Sequence, residues 1–272
     1  MVTPATAQRH NRSRHTALLA SSARETADLT LRLLEYLAAS PGQSGVTELS
    51  REFNTSKATV HRHLRTLANR GFVRQDAISS RYEAGVKLFQ LGEHIRERFG
   101  ILAAARASMT RLRDETGQAV TLSTLTQEQV LVLDLVQGST VVEFGIRAGT
   151  AMGLHCSAHG KVALAYGPEH LLEACLRAPL VSLSRDTVTD PALLRKQIAI
   201  VRKQGWATAA NEVLFGMNAL AAPVFDHRGR FAGAIAIVGS TQFIDAKPAA
   251  KQLTLVKSAA RRISSQLGWS NA

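Results

Sequence analysis

Apolar residues in the first third of the chain recur at helical spacing. Leu29, Leu33, Leu34 and Leu37 share one side of a helix over 28–38, which Pro41-Gly42-Gln43-Ser44-Gly45 ends. Thr47 is placed to cap a short helix through Phe53, with Leu49 and Phe53 four apart, and Asn54 closes it. In the next stretch, Thr55 to Gly71, Val60, Leu64 and Leu67 form an apolar stripe. At about 100° per residue, Ala58, His61, Arg62, Arg65, Thr66 and Asn69 fall on the other side. Thr55 or Ser56 supplies the N-cap oxygen, and Gly71 the left-handed stop. Three apolar positions under a charged face also describe an ordinary surface helix. Context separates the two readings. Two short helices joined by about three residues, the second basic and free of acids on its outer face, have the helix-turn-helix layout.

Phe72–Gln75 and Arg81–Ala84 read as short strands around the loop Asp76–Ser80. A hairpin directly after a recognition helix is a wing, and Arg74 and Arg81 then lie near its base, within reach of phosphate. Val86–Phe99 carries Leu88, Leu91 and Ile95 on one side and Glu93, Arg96, Glu97 and Arg98 on the other, as a helix joining two domains does. The expected organisation is an arm over 1–24, a winged helix-turn-helix over 25–85, a linker helix over 86–100 and a second domain over 101–272.

From residue 101 the pattern changes. After a helix over 101–115 stopped by Gly117, β-branched and aliphatic runs at Ala119–Leu125, Gln129–Val136 and Val141–Ile146 predict three strands. Gly145, Gly149 and Gly153 mark a mobile or tightly turned segment. Helices are predicted over His155–Ala165, Pro168–Arg177 and Asp190–Gln204, the last with Asp190 as N-cap and Pro191 at its first position. Trp206–Ala210, Ala219–Phe225 and Phe231–Val238 read as strands, Asp226-His227-Arg228-Gly229 as a turn, and Pro248–Leu267 as a closing amphipathic helix. Strands enclosed by helices give the fold class α+β, with one antiparallel sheet in the second domain.

Charge sharpens the picture at one place. The 272 residues carry formal net charge +12, which points to a polyanionic partner, nucleic acid or an anionic membrane surface. Within 51–75 stand Arg51, Lys57, Arg62, Arg65, Arg70 and Arg74 against the single acid Glu52. Residues 1–24 hold four Arg and no acid, and lack the apolar core of a signal peptide; they read as a disordered basic arm. No run of 18 apolar residues predicts a membrane span. Cys156 and Cys175 are too few for a disulfide framework, so a cytoplasmic location is expected.

Two groups of residues carry a family resemblance. Thr59-Val60-His61-Arg62-His63-Leu64-Arg65-Thr66-Leu67 and Gly71-Phe72-Val73 resemble the DNA-binding half of IclR-type bacterial regulators. Leu154-His155-Cys156-Ser157-Ala158-His159-Gly160-Lys161-Val162-Ala163-Leu164-Ala165 resembles that family's segment ending Gly-Lys-Ala-Leu-Leu-Ala. Glu212, Gly216, Leu220–Asp226, Gly229 and Gly233-Ala234-Ile235 match its effector-domain signature, so the likeness runs in order over about 25–265. The resemblance implies a winged helix, a linker helix and a GAF-like effector domain. It further implies a homodimer, or a dimer of dimers, acting as repressor or activator on double-stranded DNA with a near-palindromic operator. Thr55, Ser56, Lys57, Ala58, Thr59, His61, Arg62, Arg65, Arg74 and Arg81 are then the DNA-binding set.

Two departures stand out. The family's Arg-Tyr-x-Leu-Gly at the end of the wing is Arg81-Tyr82-Glu83-Ala84-Gly85 here, which is expected to alter local packing only. Members that sense small carboxylates line the pocket with an Asp, a Cys and two Ser; the matching positions are Ala209, Ala219, Ala236 and Val238. A small oxoacid would lose about 1–3 kcal/mol for each unpaired oxygen there, so an aromatic or otherwise largely apolar effector, an aromatic acid among them, suits the lining better. With them, the resemblance assigns Met152, Leu154, Ala158, His159 and Glu212 to the effector pocket.

Other chemistry finds less support. His155 and His159 are spaced for one helix face and a shared metal, but a third ligand at recognisable spacing is missing. Cys156 beside His159 lacks an orienting group and an oxyanion hole, and no Gly-x-Ser-x-Gly elbow occurs. Arg147 pairs with an anionic effector or is solvated, the latter favoured. Neither a catalytic set, a metal site nor a cofactor fingerprint is assigned. The rivals are a ligand-binding enzyme with an accessory helical domain, for which Cys156, His159 and Glu212 are the available groups, and a membrane-surface protein using its basic arm.

Overall fold

The computed structural model describes residues 26–98, 100–126, 129–139 and 145–270. The expected arm over 1–24 and most of the strand expected at Val141–Ile146 lie outside them. The chain divides into two compact units at Arg96/Glu97, inside the helix expected to link them.

The first unit runs α1 (26–39), α2 (Val46–Glu52), α3 (Lys57–Asn69), β1 (Val73–Gln75), β2 (Tyr82–Ala84) and α4 (Val86–Arg98). Its core is Leu33, Leu37, Leu49, Val60, Leu64, Leu67, Val73 and Tyr82. One helix start differs from expectation. Gly45, not Thr47, is the N-cap of α2, because the Glu48 carboxylate reaches back to the Gly45 amide at 3.4 Å. Asn54 turns the chain with φ +47° between α2 and α3. Gly71 takes φ +76° after α3, its amide bonded to the Ala68 carbonyl and that of Phe72 to the Leu67 carbonyl, a Schellman-type stop. β1 and β2 pair antiparallel, and a bridge from Ser44 to Tyr82 ties the hairpin to the turn before α2. Ala84, in place of the family's Leu, is exposed.

The second unit continues with α5 (Gly100–Thr116), β3 (Ala119–Leu125), β4 (Val130–Val136), β5 (Ala151–Met152), α6 (Ala158–Tyr166), α7 (Glu169–Arg177), α8 (Pro191–Gln204), β6 (Ala207–Thr208), β7 (Met217–Phe225), β8 (Phe231–Ser240) and α9 (Ala250–Gln266). The strands form one antiparallel sheet in the order β5-β4-β3-β8-β7-β6. Helices cover both faces. Leu220, Ala222 and Val224 of β7 and Ile235 and Ile237 of β8 pack with α5 and α9. The alternate residues, Ala219, Ala221, Ala234, Ala236 and Val238, pack with α6, behind which lie α7 and α8. A hydrophobic sheet covered on both faces explains why these strands read as nearly continuous apolar runs.

Two further boundaries moved. α6 begins at Ala158, three residues later than predicted, because the Ser157 hydroxyl accepts the Gly160 amide at 2.9 Å and caps it. The strand predicted over 206–210 shrinks to Ala207–Thr208, since Gly205 (φ +81°) stops α8 immediately before it and the chain turns again at 210. The glycine-marked segment holds a turn at Gly149 (φ +89°) followed by the short strand β5.

Gly160 lets the first turn of α6 lie against the chain that precedes it. A Cβ at Gly160 would stand 2.4 Å from the carbonyl oxygens of Gly153 and Leu154. Gly160→Ala is therefore expected to destabilise this unit by about 1–3 kcal/mol through overpacking, read as a lowered urea midpoint at unchanged slope.

Candidate nucleic-acid interface and effector site

α3 is held from beneath and left open outside. Its stripe, Val60, Leu64 and Leu67, is buried with His63. Burying each aliphatic side chain contributes about 1.5–3 kcal/mol, so the stripe fixes which face looks out. The Ser56 hydroxyl accepts the Thr59 amide at 3.1 Å and also bonds the Thr59 hydroxyl, so Ser56, rather than Thr55, is the cap. The outward face presents Lys57, Ala58, His61, Arg62 and Arg65, all exposed; Thr55 and Thr59 are half-buried at its start. Among the described residues the four basic side chains Lys57, His61, Arg62 and Arg65 have no carboxylate partner. The helix thus offers its capped N-terminal end and an unneutralised cationic face, the combination that receives phosphate and base edges.

Arg74 and Arg81 are placed differently. Arg74 Nε donates to Glu83 at 2.8 Å, and this guanidinium lowers the Glu83 carboxyl below its ordinary value. Arg81 donates to the Gln43 carbonyl at 2.7 and 3.0 Å and to Glu48 at 2.7 Å, tying the wing to the start of α2. Both arginines already have a carboxylate, so their first task is to hold the hairpin. The wing tip shows a residue that the sequence reading passed over, Ile78, 97% exposed in a polar loop. A second is His63, bonded through Nδ1 to the Thr30 hydroxyl at 2.7 Å, which pins α3 to α1; burial lowers its pKa. A His among apolar neighbours gives no sequence signal of such a partner.

In the second unit the expected effector residues converge on the α6 face of the sheet. Ala219 and Ala119 flank Val238 in one cross-strand row; Thr121 and Ala221 flank Ala236 in the next. Ala209, Ala158 and Leu154 are buried in the same cluster, with Met152 packed against it from β5. Asn218, not foreseen, is fully buried and binds these walls together. Its Oδ1 accepts the amides of Ala209 and Ala219 at 3.1 and 2.8 Å, while its amide nitrogen donates to the carbonyls of Ile244 and Asp245.

His159 is wholly buried, with Nε2 on the Thr121 hydroxyl at 3.0 Å, and burial drives its pKa down to about 4. Glu212 is 7% exposed and pairs with Lys161, itself 3% exposed. Burial raises the Glu212 carboxyl, with Lys161 opposing the shift. The Thr187 hydroxyl holds the Glu212 carbonyl at 2.6 Å. His155 precedes α6 and turns to the Val181 carbonyl at 3.0 Å, so it does not share a helix face with His159 as predicted. Cys156 is buried and its thiol pKa is raised by burial, which disfavours the thiolate a nucleophile needs. Arg147 is exposed. Among the described residues no three His, Cys, Asp or Glu side chains group to hold a metal, and no helix is long and apolar enough to cross a membrane.

The profile described as bacterial transcriptional regulator IclR C-terminal matches residues 94–265, and that of the IclR helix-turn-helix domain matches 26–77. The chain is 31% identical to the glycerol operon regulatory protein of Streptomyces griseus over 87% of this chain and 93% of that one. It is 30% identical to the transcriptional repressor IclR of Escherichia coli K12 over 88% of each. Among solved structures, the Thermotoga maritima IclR superposes with a TM-score of 0.74 at 27% identity, covering 90% of this chain and all of that one. An IclR homolog of Microbacterium hydrocarbonoxydans complexed with 4-hydroxybenzoate shares the fold, with a TM-score of 0.77 at 21% identity over 89% of this chain and 98% of that one.

His159 gives this unit a signed pH dependence. Its folded pKa lies near 4, below the usual 6.5, so the unfolded chain takes up the proton first as pH falls. The contribution is complete above pH 6.5 and is lost towards pH 4, on the order of 3 kcal/mol in all. Urea unfolding at stepped pH is expected to show this decline in the native chain and a shallower one in His159→Phe.

Proposed function

Because the chain belongs to the IclR family of bacterial transcriptional regulators, we propose that it reads a near-palindromic operator through the outer face of α3 and senses an aromatic or similarly apolar metabolite beneath α6. The family level is plain: a helix-turn-helix DNA-binding domain followed by an effector domain, in a regulator and not an enzyme. The observation that carries the DNA reading is the acid-free exposed face of Lys57, His61, Arg62 and Arg65. Ala58 and the capped amide end at Ser56 and Thr59, with Thr55 just before, let that end of the helix approach the duplex backbone closely. Arg74 and Arg81 set the wing, whose tip carries the exposed Ile78. One winged helix reaches too few bases for genomic specificity, so two copies, as a homodimer or dimer of dimers in the cytoplasm, read the two half-sites.

The effector reading rests on Ala209, Ala219, Ala236 and Val238, four apolar side chains on one buried wall that Met152, Leu154, Ala158, His159 and Glu212 extend. Such a wall favours a ring over a small oxoacid, whose oxygens would go unpaired. A neighbour of this fold holding 4-hydroxybenzoate supports a ring of that size. An effector acts by binding one arrangement of the two DNA-reading copies better than the other, which leaves both repression and activation open to the same machinery.

Arg62→Ala and Arg65→Ala test the interface. In fluorescence anisotropy on the DNA flanking the gene, each removed phosphate contact is expected to flatten the slope of log affinity against log salt by about one. An unchanged slope in the double variant would remove α3 from the interface.

A further inference from the structure

The sheet of the second unit has an edge that its last strand leaves open. β6 pairs only with Leu220 and Ala221, whereas β7 runs on to Phe225. Along that uncovered stretch lies a cavity of about 140 Å³, between β7, α9 and the ends of α6 and α8. Its size is on the order of the ~150 Å³ that takes one benzene ring. None of the residues assigned to the effector wall lines it. The edge is closed to an added strand. Pro223 has no N–H to give, and the Phe225 amide already donates to the Ser264 hydroxyl at 2.9 Å.

The walls are rings with spent polar groups. Phe225 stands edge-on to Tyr166, 5.6 Å between centroids, and 5.3 Å from Trp269. The Tyr166 hydroxyl donates to the Arg202 carbonyl at 3.0 Å and the Ser264 hydroxyl to the Ala260 carbonyl at 2.9 Å. What remains is cationic. Lys257 Nζ gives one of its three N–H bonds to the Gln204 carbonyl at 3.1 Å, and Arg261 is exposed. Among the described residues neither pairs with a carboxylate, and no acid lines the cavity. Aromatic walls alone would also suit a cation, which these two charges repel.

We propose that this cavity is a second ligand site, separate from the effector wall and independent of that reading, for a single aromatic ring bearing a carboxylate. The ring lies against Tyr166, Phe225 and Trp269, and the carboxylate takes the unspent donors of Lys257 and Arg261.

Trp206→Phe leaves Trp269 as the chain's single tryptophan and its emission as a local reporter. Full-length protein with this change, titrated at neutral pH with benzoate, benzamide and acetate, tests the site. Benzamide keeps the ring without the charge, and acetate the charge without the ring. Benzoate is expected to change the Trp269 emission saturably, and to bind about tenfold or more tighter than either of the others. Adding Lys257→Gln is expected to weaken benzoate about tenfold and to leave benzamide as it was, a split that lost packing does not produce. If Lys257→Gln fails to fold by circular dichroism, the same comparison in Arg261→Gln decides. Benzoate binding that calorimetry of the unaltered chain detects, but that leaves the Trp269 emission unchanged or survives both charge variants at full strength, overturns this site and leaves the effector reading standing. Equal binding of benzamide, or no response to benzoate by either measurement, overturns it as well.

Discussion

The two-residue alternation of β7 and β8 is the constraint on which the effector domain depends. It sends Leu220, Val224, Ile235 and Ile237 to one face and a row of alanines to the other. Large side chains hold α5 and α9 at an ordinary helix-to-sheet distance. On the alanine side α6 packs, and at its own start Gly160 meets the carbonyls of Gly153 and Leu154 in the chain that leads into the helix. A slip of one residue in either strand would exchange the faces and expel α6. The packing of α6 and the proposed effector wall therefore rest on the same register.

The first unit solves a different problem, presenting cations without neutralising them. The α3 stripe and the Thr30–His63 bond decide which way the helix faces. Two nearby acids are engaged elsewhere: Glu48 with Arg81 and Glu83 with Arg74. The wing thus absorbs negative charge that would otherwise compete with DNA for α3. Surface ion pairs of this kind contribute little to stability, and here their position matters more than their strength.

Much of this was legible because the chemistry is local. Asp190, Pro191 and Gly205 bracket α8 as read, and the spacing of Val60, Leu64 and Leu67 gave the buried side of α3. The misses share a cause in competition or distance. Gly45 with Glu48 displaces Thr47 because two plausible caps lay within a few residues, and Ser157 caps α6 inside the stretch that had read as its first turn. The Lys161–Glu212 pair spans 51 positions and Asn218 reaches 26 to Ile244, separations over which one sequence carries no periodic signal. The resemblance had marked Glu212 for the pocket; that half of its carboxylate is already spent on a lysine is visible only once the chain is folded.

The contact at Gly160 also sets a direction for divergence. The atoms that fill the place of a side chain there belong to the main chain, which every sequence carries and no change of amino acid can trim. The sheet face under α6 is instead a row of single methyl groups at Ala219, Ala221, Ala234 and Ala236. A substitution at the helix start meets something that cannot yield, whereas one on the sheet meets side chains able to shrink or grow in answer.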